Sequence, residues 1–555
     1  MPVSLAWPPV GFDRASALER LKNEEFDLLV IGGGVTGCGV AVEAAARRLK
    51  TALVEAQDFA SGTSSKSSKM VHGGLRYLQQ HDYLLVYEAL QERQRLLRNA
   101  PHLVHPLPFL IPLFGKDGVA SRSVAQAYSV ALWLYDLTGG LRIGRRHRRI
   151  GAGEALAHCP LLRTDRLVAS FLYWDAQADD ARLTLALART AAALGAVVAN
   201  YSPVSSLLHE GGRVRGATLA DGTVVRARAV VNAGGVWADR ISGEGPTLRP
   251  AKGVHVAVPA ERLPCDYASV LAVPGDRRSV FVVPWAADEA DAPGGAGRYT
   301  YIGTTDTDYD GPLDDPACTA EDVEYLLGAV NHWTSAGLTP TDVTGTWAGL
   351  RPLVAHGSGG RTADLSRRHQ VSVSAEGLVT VTGGKLTTYR KMAADTVRAA
   401  LPLLGARPGR RSVTCRLTLV GGDRGGAPGE AALRAGRAAG IPEASLRHLA
   451  GRHGTETGAV IALCAERPDL AEPLVTGLPY IRAEAVWAAR CEMAQTLSDV
   501  LARRTRAAIL DRAATVAAAA DVAALLAPEL GWDANAQARQ VEELVSSVAD
   551  RATAA

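Results

Sequence analysis

Phe26-Asp27-Leu28-Leu29-Val30-Ile31-Gly32-Gly33-Gly34-Val35-Thr36-Gly37, with Thr51-Ala52-Leu53-Val54-Glu55 behind it, decides the fold of this chain. The order is strand, glycine turn, helix, strand, acid. Leu28 to Ile31 are a short apolar run, as a parallel strand buried on both faces requires. Gly32 permits the tight turn, Gly34 lets a pyrophosphate approach the backbone, and Gly37 lets the helix lie close to the strand. A helix over 37–49 then points its first amides at the phosphates. Glu55 ends the second strand about 20 residues on, where a carboxylate accepts hydrogen bonds from ribose hydroxyls. Glycines at this spacing also arise by chance, and the alternative is an ordinary strand–turn–helix with spare glycines. The flanking strand, the helix and the distant acid together point to an adenine dinucleotide on a Rossmann-like sheet.

The bulk numbers bound what else the chain can be. At 555 residues it is long enough for roughly two to four domains. Its 47% hydrophobic and 21% charged residues are ordinary for a globular protein. A net charge of +3 is too small for nucleic acid to be the main partner. The seven cysteines form no CxxC pair and no Cys/His cluster, so no metal site is expected and the thiols read as buried groups in a reducing compartment. Cys38 is expected to pack just behind the glycine turn. Residues 1–22 carry prolines and mixed charge without the apolar core of a signal peptide, and no run reaches about 18 apolar residues. The expectation is a cytoplasmic protein, soluble or peripherally attached.

Downstream of Glu55, the stretch from Phe59 to Tyr77 is rich in small hydroxylated residues and glycines. Composition alone reads it as a flexible loop. Its place after the ribose-binding acid, and its Lys69, His72 and Arg76, suit it instead to a diphosphate and the polar atoms of a flavin ring. Ser61, Thr63, Ser64, Ser65, Gly73 and Gly74 are the further candidates there. A helix over 83–99 follows. Residues 119–141 are apolar and aromatic and run into Arg142-Ile143-Gly144-Arg145-Arg146-His147-Arg148-Arg149, a combination that seats proteins on anionic lipid; the alternative is a solvated loop after a core helix. Strands are expected over 167–174 and 197–201, then a meander with an Asp221-Gly222 hairpin turn. A buried strand from Ala229 ends at Ala233-Gly234-Gly235-Val236-Trp237, at the sheet edge where dinucleotides bind. Short alternating strands at 253–258, 280–284 and 299–303 suggest a second, mostly antiparallel sheet. The chain returns to the nucleotide-binding part at Gly383-Gly384-Lys385-Leu386-Thr387-Thr388-Tyr389-Arg390, another strand–glycine–helix junction. From about residue 410, glycine-rich segments give way to alanine-rich helices, among which Leu497 to Arg506 is the most distinctive string; its plainest reading is a charged helix cap.

These strings carry a resemblance. The glycine turn, Ser67-Ser68-Lys69 through His72-Gly73-Gly74-Leu75-Arg76-Tyr77-Leu78, Tyr301-Ile302-Gly303-Thr304-Thr305-Asp306, Gly349-Leu350-Arg351-Pro352-Leu353, Gly383 to Arg390 and Asp499 to Arg506 resemble, in order and spacing, the aerobic respiratory type of FAD-dependent glycerol-3-phosphate dehydrogenase. The first motif is shared by many flavoproteins; the second and the Gly383 string are far more specific. The resemblance implies an α/β fold with a Rossmann-like FAD-binding domain of the D-amino acid oxidase/glutathione reductase type, an antiparallel-sheet substrate domain and an all-helical C-terminal domain. The expected division is 1–245 with 345–405 for FAD, 246–344 for the substrate sheet with parts of 90–180, and 410–555 for the helices. It implies oxidation of sn-glycerol 3-phosphate to dihydroxyacetone phosphate, hydride transfer to FAD, electron transfer to a membrane quinone, peripheral attachment to the inner face of the cell membrane, and a homodimer.

The site residues follow from the same likeness. Val35, Thr36, Val204, Gly303, Thr304, Asp306, Gly383, Gly384, Leu386 and Thr387 join the FAD set. Arg76 and Arg351 resemble substrate arginines, whose forks suit phosphate, and Tyr77 adds a hydrogen bond. Arg367 resembles a third, but the basic Arg368 and His369 depart from the usual pattern and leave open which arginine faces the site. His255 resembles a histidine near the flavin and is the candidate general base; the alternative is a core histidine on an alternating strand. Lys385 places positive charge near the flavin carbonyl or binds substrate. Thr388 is a substrate partner or only the helix start. A glycerol-phosphate oxidase using O2, and an amine or D-amino acid oxidase on the same fold, are the rival readings.

Overall fold

The computed structural model describes residues 12–75, 82–115, 122–243, 248–276, 278–285, 299–354, 368–406, 412–422 and 429–553. The apolar run at the glycine turn becomes the strand Glu25–Ile31, and it sits in the middle of a sheet. Its parallel neighbours are Val224–Asn232 on one side and Thr51–Val54 on the other, extended by Leu378–Thr382 and Val197–Ala199. Every residue of Thr51–Val54 and Leu378–Thr382 is buried, as strands covered on both faces must be. Helices Val35–Ala46, Asp180–Ala193 and Tyr389–Ala400 pack on one face. The other face is closed by Ala17 and Leu21 of helix Arg14–Asn23 and by the antiparallel strands Val204–Glu210 and Arg213–Leu219.

The second sheet is larger and draws on two distant parts of the chain. Met70–Val71, Val104–Phe114, Arg148–Gly151 and Leu167–Ala178 join Leu248–Pro259, Ala268–Ala272, Ser279–Pro284, Tyr299–Gly303, Thr307–Asp308 and Gly345–Val354. All its pairings are antiparallel except that of Val104–Phe114 with Ala268–Ala272. Gly345–Val354, grouped from the sequence with the nucleotide-binding part, pairs along its whole length with Leu248–Pro259 instead. Nearness in sequence to the Gly383 junction suggested the first grouping; the ladder with a strand about a hundred residues earlier decides the second. Helix Ala320–Trp333 covers one face, and the helices after residue 429 cover the other. Arg512–Leu530 is long and apolar enough to cross a membrane, but it packs one face between Arg482–Cys491 and Ala534–Thr553, with Ala519, Leu525 and Leu526 buried there and about a third of its residues buried in all.

Candidate active site

The C-terminal ends of the parallel strands open on a cavity of about 420 Å³, lined by Ile31, Val54, Ala233 and Gly383 and by the glycine turn. This edge is where such sheets bind ligands. Gly32 has φ +112°, and a Cβ there would lie 2.6 Å from the Ala233 carbonyl oxygen. A Cβ at Gly37 would overlap the Gly32 carbonyl, so the helix can lie this close only with glycine. Ser64 Oγ accepts the Val35 amide at 2.9 Å at the start of helix Val35–Ala46. Glu55 lines the cavity and also braces the turn: its Oε2 accepts the Gly33 amide at 2.5 Å and its Oε1 the Gln57 amide at 2.9 Å. Burial raises its carboxyl above the usual carboxylate value, against the pull of those amides. Gly34, Val35, Thr36, Ser61, Thr63, Val204, Gly234, Trp237, Gly384, Lys385 and Leu386 complete the sequence-derived residues on this wall. A turn that a Cβ would block, set before a twelve-residue helix, fits a dinucleotide.

A second cavity, of about 190 Å³, shares Thr63, Pro352, Gly384, Lys385 and Leu386 with the first. Its floor comes from the pairing of Leu248–Pro259 with Gly345–Val354. Ala251, Gly253 and His255 lie opposite Arg351, Gly349 and Trp347, so all six side chains or hydrogens share one face of the sheet. His255 and Arg351 therefore stand at either end of a bare floor made by the glycine pair. A Cβ at Gly253 would lie 2.5 Å from Arg351 Nη2, and one at Gly349 would lie 2.6 Å from the Lys66 carbonyl. On its other side His255 faces Gly303, where a Cβ would overlap the imidazole.

The His255 ring is buried and stacks on Trp347, with centroids 4.9 Å apart. Its Nε2 lies 2.8 Å from Ser68 Oγ, and its buried Nδ1 has no hydrogen-bond partner among the described residues. Burial, and then the charges of Lys69 and Arg351, hold its pKa well below the usual imidazole value, so the ring is neutral at pH 7. Arg351 is anchored at the edge of the sheet by Asp306 Oδ1 at 3.1 Å, Thr304 Oγ1 at 3.1 Å and the Thr305 carbonyl at 3.2 Å. Lys385 leads into the short turn Leu386–Thr388, and Thr387 Oγ1 accepts the His72 amide at 3.1 Å. His72 and Thr387 both line the second cavity.

Other sequence candidates lie off both cavities. Lys69 is fully buried with Nζ 3.1 Å from Asp180 Oδ1 and 3.1 Å from the Ser65 carbonyl. Burial and the nearby Arg506 charge lower its ammonium to about 8 against the pull of Asp180. It is thus a buried ion-pair partner rather than a cofactor ligand. Ser65 offers its carbonyl to that same cluster. The Gly73 amide reaches Tyr135 Oη at 3.0 Å in the core, and Gly74 follows with φ +80°. Gly303 makes room for His255, while Thr304 and Asp306 hold Arg351. Thr388 is buried at the start of helix Tyr389–Ala400, with Oγ1 bonded to the Lys385 carbonyl at 3.4 Å. Arg76, Tyr77 and Arg367 lie outside the described residues. Arg368 is half-exposed and paired with Asp82 at 2.6 Å. Two neighbours of His255 went unassigned from sequence. Ser68 stood in a quoted string without a role, and Trp347, two residues before the quoted Gly349 string, is brought under His255 by a ladder that the sequence reading did not include.

The chain as a whole is matched by known proteins. Residues 27–390 match the FAD-dependent oxidoreductase family, and residues 412–537 match the C-terminal domain of alpha-glycerophosphate oxidase. Glycerol-3-phosphate dehydrogenase 2 of Mycobacterium tuberculosis is 43% identical, over 98% of this chain and 92% of that protein. The mitochondrial glycerol-3-phosphate dehydrogenase of Mus musculus is 38% identical, over 96% of this chain and 74% of that one. The crystal structure of glycerol-3-phosphate dehydrogenase from Bacillus halodurans, complexed with FAD, superposes with a TM-score of 0.78 at 31% identity, covering 98% of this chain and 99% of the other. The chain belongs to the FAD-dependent oxidoreductases and, among them, to the glycerol-3-phosphate dehydrogenase family. FAD is its cofactor.

Proposed function

We propose that this protein oxidises sn-glycerol 3-phosphate to dihydroxyacetone phosphate and delivers the electrons to a quinone in the membrane. One observation carries the reading: a neutral buried imidazole, His255, and two cations, Arg351 and Lys385, line a pocket floored by Gly253 and Gly349 that shares a wall with the dinucleotide cavity. The names of the relatives support the substrate. FAD, when bound, supplies the two-electron acceptor for the hydrogen that leaves the substrate carbon. The protein's part is to hold the phosphate and move the hydroxyl proton. Arg351, already fixed by Asp306 and Thr304, presents a pre-oriented fork to the phosphate. His255 takes the hydroxyl proton at Nε2, the nitrogen now beside Ser68 Oγ. A phosphate dianion in the pocket offsets the Lys69 and Arg351 charges that otherwise oppose an imidazolium there. Lys385 places a cation where the two cavities meet, suited to phosphate or to negative charge arising on the cofactor side.

Turnover should require sn-glycerol 3-phosphate and a quinone analogue. Glycerol, D-alanine and sarcosine should give no product. Hydrogen peroxide appearing at the rate of substrate loss, with no quinone needed, would move the protein to the oxidase reading, and activity on the amino compounds would move it to the amine-oxidase one.

A second feature bears on the acceptor. Of the ten large hydrophobic residues exposed among the described residues, Tyr83, Leu84, Tyr87, Val130, Trp133, Leu134 and Leu137 lie on two helices packed together, Tyr83–Asn99 and Arg122–Thr138. Arg142, Arg145, Arg146, Arg148 and Arg149 are exposed beside them, with Arg142 stacked 5.2 Å over Tyr87. Apolar side chains rimmed by arginines suit an anionic bilayer surface. We assign this face to peripheral contact with the inner face of the cell membrane, where a quinone is within reach. Co-sedimentation with vesicles containing anionic lipid tests it; equal binding to vesicles of neutral lipid at low and high salt would count against the arginines.

A further inference from the structure

Residues 58–69 form a wall common to both cavities: Ser61, Gly62, Thr63 and Ser64 face the first, and Thr63, Ser67 and Ser68 the second. Both ends of this wall are held by one short stretch of the C-terminal helical part. At the near end, the fully buried Asp58 receives Arg503 Nε and Arg504 Nη1 on Oδ2, each at 2.6 Å, and Arg504 Nη2 on Oδ1 at 2.8 Å. At the far end, Arg506 Nη2 donates to the Ser65 carbonyl at 2.6 Å and to Asp180 Oδ1 at 3.0 Å. The other Asp180 oxygen accepts the Ser67 amide at 2.9 Å and the Ser67 hydroxyl at 2.7 Å.

The backbone that delivers these arginines is irregular in a way that suits the task. Asp499–Arg504 winds as a π-helix, a form concentrated at functional sites, and two consecutive arginines from it converge on one carboxylate. Arg506 has φ +71°, a left-handed conformation that a residue with a side chain keeps only where its surroundings impose it. Buried ion pairs add little net stability over apolar residues of equal size; what they fix is position.

We propose that Arg503, Arg504 and Arg506 are positioning residues that set the conformation of residues 58–69 for FAD, so that docking of Asp499–Arg506 and binding of FAD reinforce each other. The inference rests on the reading that the first cavity holds FAD. A merely structural role predicts something different, and Arg189 provides the contrast. It joins the same helix, Asp180–Ala193, to the C-terminal part through Glu456 at 2.5 and 2.7 Å, but about 13 Å further along the helix from Asp180.

The test is FAD affinity of the stripped full-length protein, titrated by flavin fluorescence, with thermal unfolding measured alongside. Arg504→Met should weaken FAD binding about tenfold, and Arg503→Lys, which keeps the charge but loses the fork, about threefold, within the range of ordinary coupling between sites. Arg189→Met should lower the unfolding temperature and leave FAD affinity within about twofold. Equal loss of affinity in Arg504→Met and Arg189→Met, or no loss in Arg503→Lys, overturns the inference. Should Arg504→Met fail to fold, Arg503→Lys against Arg189→Met decides. Wild-type protein that takes up no FAD sinks the cavity reading first, an outcome distinct from either.

Discussion

Two arginine-rich stretches of this chain look alike in sequence and meet opposite fates. Arg142, Arg145, Arg146, Arg148 and Arg149 lie exposed beside apolar side chains on two surface helices. Arg504 and Arg506 are buried and Arg503 is largely covered, on Asp58, Asp180 and the Ser65 carbonyl. Burial alone would raise the Asp58 carboxyl, yet Arg504 and Arg503 outweigh it and hold the group down to about 2. The exposed set is available to a partner and contributes little to the fold; the enclosed set is committed to the fold and shapes the wall of the site. Residue type is the same in both. What differs is whether the fold excludes water: Arg148 also meets a carboxylate, Glu154, but both stand exposed.

The comparison is broken most readily at its buried end. Arg504→Met should cost about 1.5–3 kcal/mol of stability in urea unfolding, because it takes two charged hydrogen bonds from the buried Asp58 and leaves Arg503 as its remaining arginine; a cost under about 1 kcal/mol would mean that the pair is no more than a surface bridge. Arg351 is the intermediate case, partly accessible but anchored at three points. Arg351→Gln should lower kcat/KM for sn-glycerol 3-phosphate by roughly 10–150-fold, the worth of a charged hydrogen bond, mainly through KM. An unchanged KM would place the phosphate elsewhere.

Acid should act on the buried set through its carboxylates, whereas the exposed arginines carry no proton to gain in this range. Asp58 and Glu492 both have carboxyls lowered to about 2, Glu492 against its burial by Arg182 and other nearby charges. Their folded values lie below the unfolded carboxylate value of about 4, so their contribution is complete above that pH and is lost as pH falls toward 2, on the order of 2 kcal/mol each. Stability measured between pH 5 and 2 should fall accordingly, and Asp58→Asn should flatten the curve. For His255, held neutral by burial, the reductive half-reaction should stay flat from pH 8 down to the usual imidazole value of about 6.5. An acid limb centred at or above that value would remove it as the base. The smallest effect belongs to the surface: replacing Arg142, Arg145 and Arg146 together by Gln should move stability by no more than about 0.5 kcal/mol while weakening binding to anionic vesicles by about 1 kcal/mol per charge. A large loss of stability would show that these arginines are structural after all.

The parallel sheet was legible because its evidence is local. An apolar run, a glycine turn and an acid at fixed spacing decide together what none decides alone, and all lie within a stretch of about 30 residues that lines the first cavity. The bare floor of the second cavity was half legible: His255 and Arg351 came from the resemblance, while the ladder that brings Gly253 against Gly349 and Trp347 beneath the imidazole is a non-local pairing. Lys69 misled because its fate depends on Asp180, 111 residues away. Arg506 escaped for the same reason, since its partner Ser65 is 441 residues distant. A helix cap and a buried clamp have the same sequence; only the fold tells them apart.

The most direct test is anaerobic mixing of the purified flavoprotein with sn-glycerol 3-phosphate while the visible flavin band is followed. The account expects rapid bleaching by sn-glycerol 3-phosphate, none by glycerol, and a loss of rate in His255→Asn of about 10²–10⁴ with the band position unchanged. A yellow protein that sn-glycerol 3-phosphate does not bleach would leave the cofactor standing and contradict the function proposed for the pocket.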